Sequence, residues 1–353
     1  MLRKLLLLVT LSVALPVAAG ATPVSVYGAW LCGNDACTWA SVRNMTDFDT
    51  KNRWLINRGD GVPSVNLVVL SFVQPLKLLN RTTDAQTLNG VPRGMTPEVV
   101  NYFKSRGVRV MLSIGGITYV DAWNQALATN ATQLGLNAAQ VAQSLGVGIE
   151  IDYEENASPN LAGLQSFINA YRAQLPYDAT GANHAARLTI DLAAGDRWLI
   201  ALTRKATADW LNTTSPVLDY ANAMVTSKQF NNAADAQSNW QEHLDGKAQY
   251  NPPIPPLAAA KFTGALYIVT GQNPCAECVN FAGSLISSTG TYVQNVQTRV
   301  GSTNGMLGYM FWAAECPSTR RICTTPPNSC EGGVGVGGKT YNIPVPMPAL
   351  RQN

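Results

Sequence analysis

The sequence has 353 residues, of which 25 are lysine or arginine and 22 are aspartate or glutamate, giving a formal charge of +3. Charged residues make up only 13% of the chain. A near-neutral chain without a basic stripe argues against nucleic acid as a partner, because nucleic-acid binding depends on clustered positive charge. The length is sufficient for one large barrel or for two modest domains.

Residues 1–21 have the features of a secretory signal peptide. Two basic residues precede an apolar run, and Ala19-Gly20-Ala21 matches an A-x-A cleavage site. A membrane anchor is the alternative, but the run is shorter than the roughly 20 apolar residues of a spanning helix and it contains Pro16. We therefore expect residues 22–353 to be secreted, outside the cell or in the periplasm, as one catalytic domain without membrane attachment and as a monomer.

Eight short runs rich in apolar, β-branched and aromatic residues recur along the rest of the chain. Each starts 30 to 47 residues after the previous one, which leaves room for a loop and a helix. Apolar runs that alternate with helical segments indicate buried parallel strands. The sequence therefore predicts a (β/α)8 TIM barrel of the α/β class, with a doubly wound open sheet as the alternative. The runs are 24–30, 66–72, 108–114, 147–153, 187–192, 217–225, 264–269 and 305–312.

Helical signals fall between these runs. Thr96, Pro97 and Glu98 have the pattern of an N-cap, a first-turn proline and a first-turn acid. Apolar residues after Asn160 recur at helical spacing. We expect no large insertion between strands seven and eight, and a loosely ordered tail after about residue 330.

Seven cysteines all lie after the predicted signal peptide. In an exported protein disulfides are the default, and we favour the local pairs Cys32–Cys37 and Cys275–Cys278. The C-x-x-C at 275–278 also suggests zinc, but no second C-x-x-C or paired histidine accompanies it. The pairing of the last three cysteines stays open. They are Cys316, Cys323 and Cys330.

Glu150, Asp152 and Glu154 occupy alternate positions of the fourth run. Alternate residues of a strand point to one side, and in a barrel that side is the interior, which opens at the C-terminal end onto the catalytic face. Enclosed carboxyl groups are costly unless they share protons or bind something. A solvated edge strand is the alternative, but the apolar residues between the acids favour burial. The pattern therefore predicts a functional site.

The fourth run resembles the fourth strand of glycoside hydrolase family 18, which contains chitinases and endo-β-N-acetylglucosaminidases. That strand carries the motif D-G-x-D-x-D-x-E, and residues 147–154 read Val-Gly-Ile-Glu-Ile-Asp-Tyr-Glu. Asp152 and Glu154 match the two residues that perform the chemistry in the family. Val147 and Glu150 replace two of the family's aspartates.

Two further features support the resemblance and one departs from it. The third-strand motif S-x-G-G is present at 113–116, and Trp312 matches the tryptophan that ends the eighth strand. The family's sixth strand usually ends in M-x-Y-D, whose tyrosine binds the reacting acetamido group. Here Met224 is followed by Thr226 at the tyrosine position. The candidates to replace that tyrosine are Tyr267 and Tyr309.

The resemblance implies hydrolysis of β-1,4 linkages next to N-acetylglucosamine with retention, in which the substrate's own acetamido oxygen attacks the anomeric carbon. Glu154 would be the proton donor, with its pKa raised by burial and by nearby carboxyls. Asp152 would orient the acetamido group, and Glu150 would support it. No metal or organic cofactor is implied. The residues expected to contact the sugar are Trp312, Trp30, Tyr119, Met224, Thr226, Tyr267 and Tyr309.

The expected substrate is chitin or chitin-like oligomers, cleaved internally in an open cleft. An endo-β-N-acetylglucosaminidase that acts on N-glycans is one alternative. A non-catalytic sugar-binding protein on the same barrel is another, because a fold does not fix a function. Such binding relatives typically lose the acid at the position of Glu154, so its presence here favours an enzyme.

Overall fold

The computed structural model describes residues 24–32, 39, 44–225, 233–267, 283–296, 305–312, 314 and 341–350. The predicted signal peptide, Thr226 and six of the seven cysteines lie outside these residues. Cys32 is buried at the end of the first strand. Both predicted disulfide pairs therefore stay predictions.

Eight parallel strands form a closed barrel in which sequence neighbours pair around the ring and the last strand returns to the first. The predicted (β/α)8 TIM barrel is confirmed, and each predicted run overlaps one strand of the barrel. The strands are β1 Val26–Cys32, β2 Leu67–Val73, β3 Arg109–Gly115, β4 Gly148–Asp152, β5 Leu188–Leu192, β6 Ala221–Ala223, β7 Phe262–Tyr267 and β8 Gly308–Trp312.

The sixth strand is shorter than the predicted run over 217–225. The backbone N–H groups of Val217 and Leu218 both donate to the carbonyl oxygen of Trp210, at 3.1 and 3.2 Å. Because these donors bond to the preceding helical segment, they do not join the ladder between β5 and β6. Hydrogen bonding to β5 starts at Asp219, whose N–H donates to the carbonyl oxygen of Leu188 at 2.9 Å, and the strand itself spans Ala221–Ala223.

Helices connect the strands around the barrel. They are α1 Met45–Ile56, α2 Pro75–Leu79, α3 Pro97–Lys104, α4 Val120–Leu145, α5 Leu161–Gln174, α6 Ile200–Lys205, α7 Ala233–Asp245 and α8 Gly283–Asn295. Short helical turns occur at Ile117–Tyr119, His184–Ala186, Ala206–Leu211 and Ala259–Lys261. A small antiparallel pair, Thr87–Leu88 with Val91–Pro92, lies between α2 and α3. In the segments that the structure describes, no helix is both long and apolar enough to span a bilayer.

The predicted caps of α3 and α5 are present. The side chain of Thr96 accepts a hydrogen bond from the N–H of Val99, and Asn160 accepts one from Gly163. Each bond satisfies one of the N–H groups left without a partner in the first turn of a helix. These caps fix where the helices after β2 and β4 begin.

The C-terminal segment 341–350 differs from the expectation of a loose tail. Tyr341, Ile343 and Met347 are buried in the hydrophobic core. The side-chain amide of Asn66, just before β2, donates to the carbonyl oxygens of Ser25 (2.9 Å) and Pro344 (3.1 Å). Apolar residues within the segment provide the reason, since burying them stabilises its attachment. The segment therefore packs against the N-terminal end of the barrel, which we call the barrel base.

Candidate active site

The C-terminal ends of β3 and β4 are joined by the S-x-G-G segment. The N–H of Gly116 and the indole N–H of Trp123 both donate to the carbonyl oxygen of Asp152, each at 3.0 Å. Gly115 has a φ of +123°, and a Cβ there would lie 1.8 Å from that same oxygen. Only glycine permits so close an approach. The motif thus fixes the backbone that carries the acidic residues.

Glu150 lies in the barrel interior and is fully buried. Its carboxylate accepts hydrogen bonds from Trp30 Nε1 on β1 (2.8 Å) and from Asn222 Nδ2 on β6 (2.7 Å). Asn222 Oδ1 accepts in turn from Thr263 Oγ1 on β7 at 2.6 Å. Burial raises the pKa of Glu150, and these donors oppose the rise. Glu150 therefore connects four strands through one polar network.

Asp152 is also buried and lies two residues further along β4, closer to the opening of the barrel at the C-terminal ends of its strands. Its Oδ1 has no hydrogen-bond partner among the residues that the structure describes. Burial, followed by the nearby Glu154 and Glu150, raises its pKa well above that of an ordinary aspartate. An unpaired buried carboxyl oxygen is costly, so this atom is suited to accept a hydrogen bond from a ligand.

Asp191 on β5 is a member of the cluster that the sequence analysis missed. It is buried, and its pKa is raised well above the usual value by burial, followed by the charges of Glu150 and Asp152. Three enclosed carboxyls cannot all ionise cheaply, so the cluster shares protons at a pH where exposed carboxyls are charged. The signal was present in the sequence: Thr189 and Asp191 are polar at alternate positions of an otherwise apolar strand.

Glu154 follows β4 and is half-buried, at the opening of the barrel. Burial raises its pKa to about 7, and a hydrogen bond from the backbone of Ile117 opposes the rise. A carboxyl with that pKa can donate and accept a proton near neutral pH. The next residue, Glu155, is engaged elsewhere, because it accepts from the N–H groups of Ala157 (2.6 Å) and Ser158 (3.0 Å).

Aromatic side chains lie on the side of the barrel opposite β4. The ring of Trp312 at the end of β8 stacks on Phe72, with centroids 5.7 Å apart and an interplanar angle of 24°. It also meets Trp30 edge-on at 6.5 Å. Trp312 remains half-exposed, so an apolar surface is available at the opening. Trp30, predicted to line the cleft, is instead buried and serves as a donor to Glu150.

The remaining predicted sugar contacts have different outcomes. Tyr119 is half-buried in the turn after β3, and Met224 is half-buried directly after β6, so both lie at C-terminal ends of strands. Tyr267 ends β7 and pairs in register with Trp312, but its side chain is not among those that the structure describes. Thr226 also lies outside the described residues.

Tyr309 does not lie in the opening, and its prediction is corrected. It is fully buried, with its ring 5.9 Å from Trp240 on α7 and 6.1 Å from Tyr341. Tyr309 and Trp312 are three positions apart along β8, so the two side chains face opposite sides of the strand. Tyr309 thus packs between the barrel wall and its surrounding layer.

Neither protein-family models nor curated protein sequences match this chain. Solved structures do. A chitinase from Rhizomucor miehei has a TM-score of 0.51 at 15% identity, covering 86% of this chain and 98% of that chain. A family 18 chitinase from Cycas revoluta in complex with allosamidin has a TM-score of 0.53 at 12% identity, covering 90% of this chain and 99% of that chain.

The barrel and its likeness to these structures define the class of fold. The chain has a (β/α)8 barrel, the architecture that these solved structures share. More particularly, it has the fold of the family 18 chitinases, and the resemblance predicted from the sequence is confirmed at the level of the fold.

Proposed function

We propose that this protein is a secreted glycoside hydrolase that cleaves β-1,4 linkages next to N-acetylglucosamine in chitin or chitin-like oligomers. The observation that carries the proposal is the pair Asp152 and Glu154 at the C-terminal end of β4, with the pKa of Glu154 raised to about 7. In barrels of this type the C-terminal face holds the catalytic residues. The chitinase fold adds support, since the Cycas revoluta enzyme forms a complex with (GlcNAc)3 and a double mutant of it forms one with (GlcNAc)4.

In the proposed first step, Glu154 donates its proton to the glycosidic oxygen as the bond to the anomeric carbon breaks. The carbonyl oxygen of the 2-acetamido group forms a bond to that carbon and gives an oxazolinium ion. In the second step Glu154 removes a proton from water, the water oxygen attacks the anomeric carbon, and the acetamide is restored. Two inversions at one carbon retain its configuration.

Asp152 has the complementary role in this mechanism. Its Oδ1, unpaired among the described residues, accepts the acetamido N–H and so directs the carbonyl oxygen toward the anomeric carbon. As positive charge develops on the oxazolinium ring, a carboxylate at this position stabilises it. Burial raises the pKa of Asp191 in the interior below Asp152, and a proton held there limits repulsion when Asp152 ionises.

The aromatic side of the opening supports substrate assistance over a protein nucleophile. In the order of strands around the barrel, β8 lies opposite β4, and the C-terminal end of β8 carries Trp312. An indole supplies an apolar surface for a sugar ring and cannot act as the second carboxylate of an ordinary retaining enzyme. The acetamido oxygen fills that role. The chain between β7 and β8 contains α8, and we infer internal cleavage in an open cleft.

The test is to incubate purified protein with chitin oligomers and, separately, with a high-mannose glycoprotein, and to identify products by mass. The Glu154→Gln variant serves as the blank. Shortened oligomers support the proposal. Glycan release from the glycoprotein alone would assign an endo-β-N-acetylglucosaminidase, and binding without products would assign a sugar-binding protein. N-terminal sequencing of exported protein tests secretion, with Thr22 as the expected first residue.

A further inference from the structure

Two arginines lie inside the barrel base, at the opposite end from the acidic cluster. Arg109 begins β3, and Arg187 directly precedes β5. Their exposed fractions are 3% and 2%. Buried guanidinium groups require acceptors, because each unpaired N–H loses its hydration on burial. The acceptors that surround these two guanidinium groups therefore determine how far the cost of burial is offset.

The two guanidinium groups meet at one loop. Arg109 Nη2 donates to the carbonyl oxygen of Gly181 at 2.8 Å. A Cβ built on Gly181 would lie 3.2 Å from Arg187 Nη2. Burial, followed by the nearby charge of Arg187, lowers the pKa of Arg109 to about 10, so the Arg109 guanidinium remains charged at neutral pH. Two like charges are thus held together in a closed space.

Several donors of this pair have no acceptor among the residues that the structure describes. They include Nε and Nη1 of Arg109 and Nε of Arg187. The hydroxyl of Tyr220, which directly precedes β6, has no partner there either and is fully buried. Arg187 Cζ lies 5.9 Å from the centroid of that phenol ring. Three side chains at the starts of β3, β5 and β6 therefore place donors without a described acceptor in one region.

The nearby acidic groups offset only part of the charge of the pair. Asp219 Oδ2 accepts from Arg172 at 3.1 Å and from the N–H of Leu188 at 2.8 Å, while its Oδ1 is 4.0 Å from Arg187 Nε. Asp178 accepts hydrogen bonds from its own loop, at Thr180 and Asn183. The base therefore has an excess of positive charge.

The C-terminal segment 341–350 covers this region. Met347 Sδ lies 3.9 Å from Arg187 Nη1, and a Cβ on Gly181 would lie 3.0 Å from the Cα of Ala349. The segment contributes apolar atoms rather than a carboxylate at these contacts. It closes the base without supplying a counter-charge.

We propose that the barrel base is a binding site for a small monovalent inorganic anion of chloride size, held by Arg109, Arg187 and Tyr220. Such an anion accepts hydrogen bonds from all three side chains and offsets their excess charge. Its role is structural: it binds the folded barrel and stabilises it. The proposal goes beyond the glycosidase function and does not depend on it, because the site lies at the opposite end of the barrel.

The test measures the melting temperature of the full chain as sodium chloride replaces sodium gluconate at constant ionic strength. Gluconate is too large to enter, so ionic screening is matched between the two salts. We expect the melting temperature to rise with chloride and to saturate, as for any ligand of the native state. In Arg109→Met the chloride concentration for half of the effect should rise about tenfold or more, the loss expected for a charged hydrogen-bond donor.

Two variants control the result. Arg106→Met removes an exposed arginine close in sequence and should keep the wild-type chloride response. Tyr220→Phe keeps the ring and removes one donor, so it should weaken the response even if Arg109→Met fails to fold. Crystals soaked in bromide should show an anomalous peak between the three side chains. Equal melting in both salts, or bromide absent from that position, would overturn the proposal.

Discussion

Trp30 Nε1 donates a hydrogen bond to Glu150 Oε1 at 2.8 Å, between residues 120 positions apart in the sequence. The bond crosses the barrel interior from β1 to β4. Asn222 holds the other carboxylate oxygen from β6 at 2.7 Å. Glu150 is therefore fixed from two directions, and Asp152, two residues further along the same strand face, is positioned by the strand that Glu150 anchors.

Trp30→Phe should destabilise the protein by about 1.5–3 kcal/mol beyond the cost of the smaller ring, because it removes a donor from a buried carboxyl group. The free energy of unfolding from urea titration measures this. Trp210→Phe is the matched control: Trp210 is also buried, and its indole donates to Gln165 at 2.7 Å, a neutral partner away from the acidic cluster. Equal losses of unfolding free energy in the two variants would show that the hydrogen bond to Glu150 stabilises the protein no more than one to a neutral partner.

Glu154→Gln should reduce turnover of chitin oligomers by at least about 100-fold, since a general acid typically contributes that much. Sugar binding and the melting temperature should change little, because the side chain keeps its shape. Glu155→Gln is the control, since Glu155 bonds to the backbone of its own loop. Turnover of Glu154→Gln within a few-fold of the wild type would mean that another residue supplies the proton.

Asp152→Asn should lower kcat far more than it weakens binding, because Asp152 acts mainly as positive charge develops in the transition state. Single-turnover rates and calorimetric dissociation constants for the same oligomer separate the two effects. A loss confined to affinity would assign Asp152 to substrate binding alone.

Asp191→Asn should stabilise the protein more at about pH 8 than at about pH 5. Burial raises the pKa of Asp191 in the folded state, so the folded chain binds this proton more tightly than the unfolded chain. The stabilisation from that proton is present below the unfolded pKa and is lost as the pH rises through the folded one. Asparagine cannot ionise and avoids this loss.

The melting temperature of the Asp191→Asn variant minus that of the wild type, measured across the pH range, checks the prediction. Subtraction removes the contributions of His184 and His243, whose pKa values are lowered by burial in both proteins. A difference for Asp191→Asn that stays constant with pH would contradict the shared-proton account of the cluster.

The sequence predicted the strands and the acidic positions because both depend on local patterns. Apolar runs at regular spacing identify βα units, and alternation places Glu150 and Asp152 on the inner face. The same alternation, applied to β8, would have separated Tyr309 from Trp312. The partners of Glu150 could not be predicted in this way, since Trp30 and Asn222 meet it only when the barrel closes.

Asp191 illustrates a second limit. Its run was recognised as a strand from its apolar residues, and the alternation of Thr189 and Asp191 places them on one face of it without showing whether that face is the interior. Its burial follows from the inward face of β5, which only the register with β4 defines. Polar residues at alternate positions of several predicted barrel strands are therefore worth comparing together.

Substrate-assisted hydrolysis by Asp152 and Glu154 is tested most directly by the anomeric configuration of the first-formed product. Proton NMR during cleavage of an N-acetylglucosamine oligomer reports that configuration before mutarotation, with Glu154→Gln as the blank. We predict a β product from the β-linked oligomer and no cleavage of a β-1,4-glucan that lacks N-acetyl groups. An α product, or equal cleavage of the glucan, would contradict the mechanism.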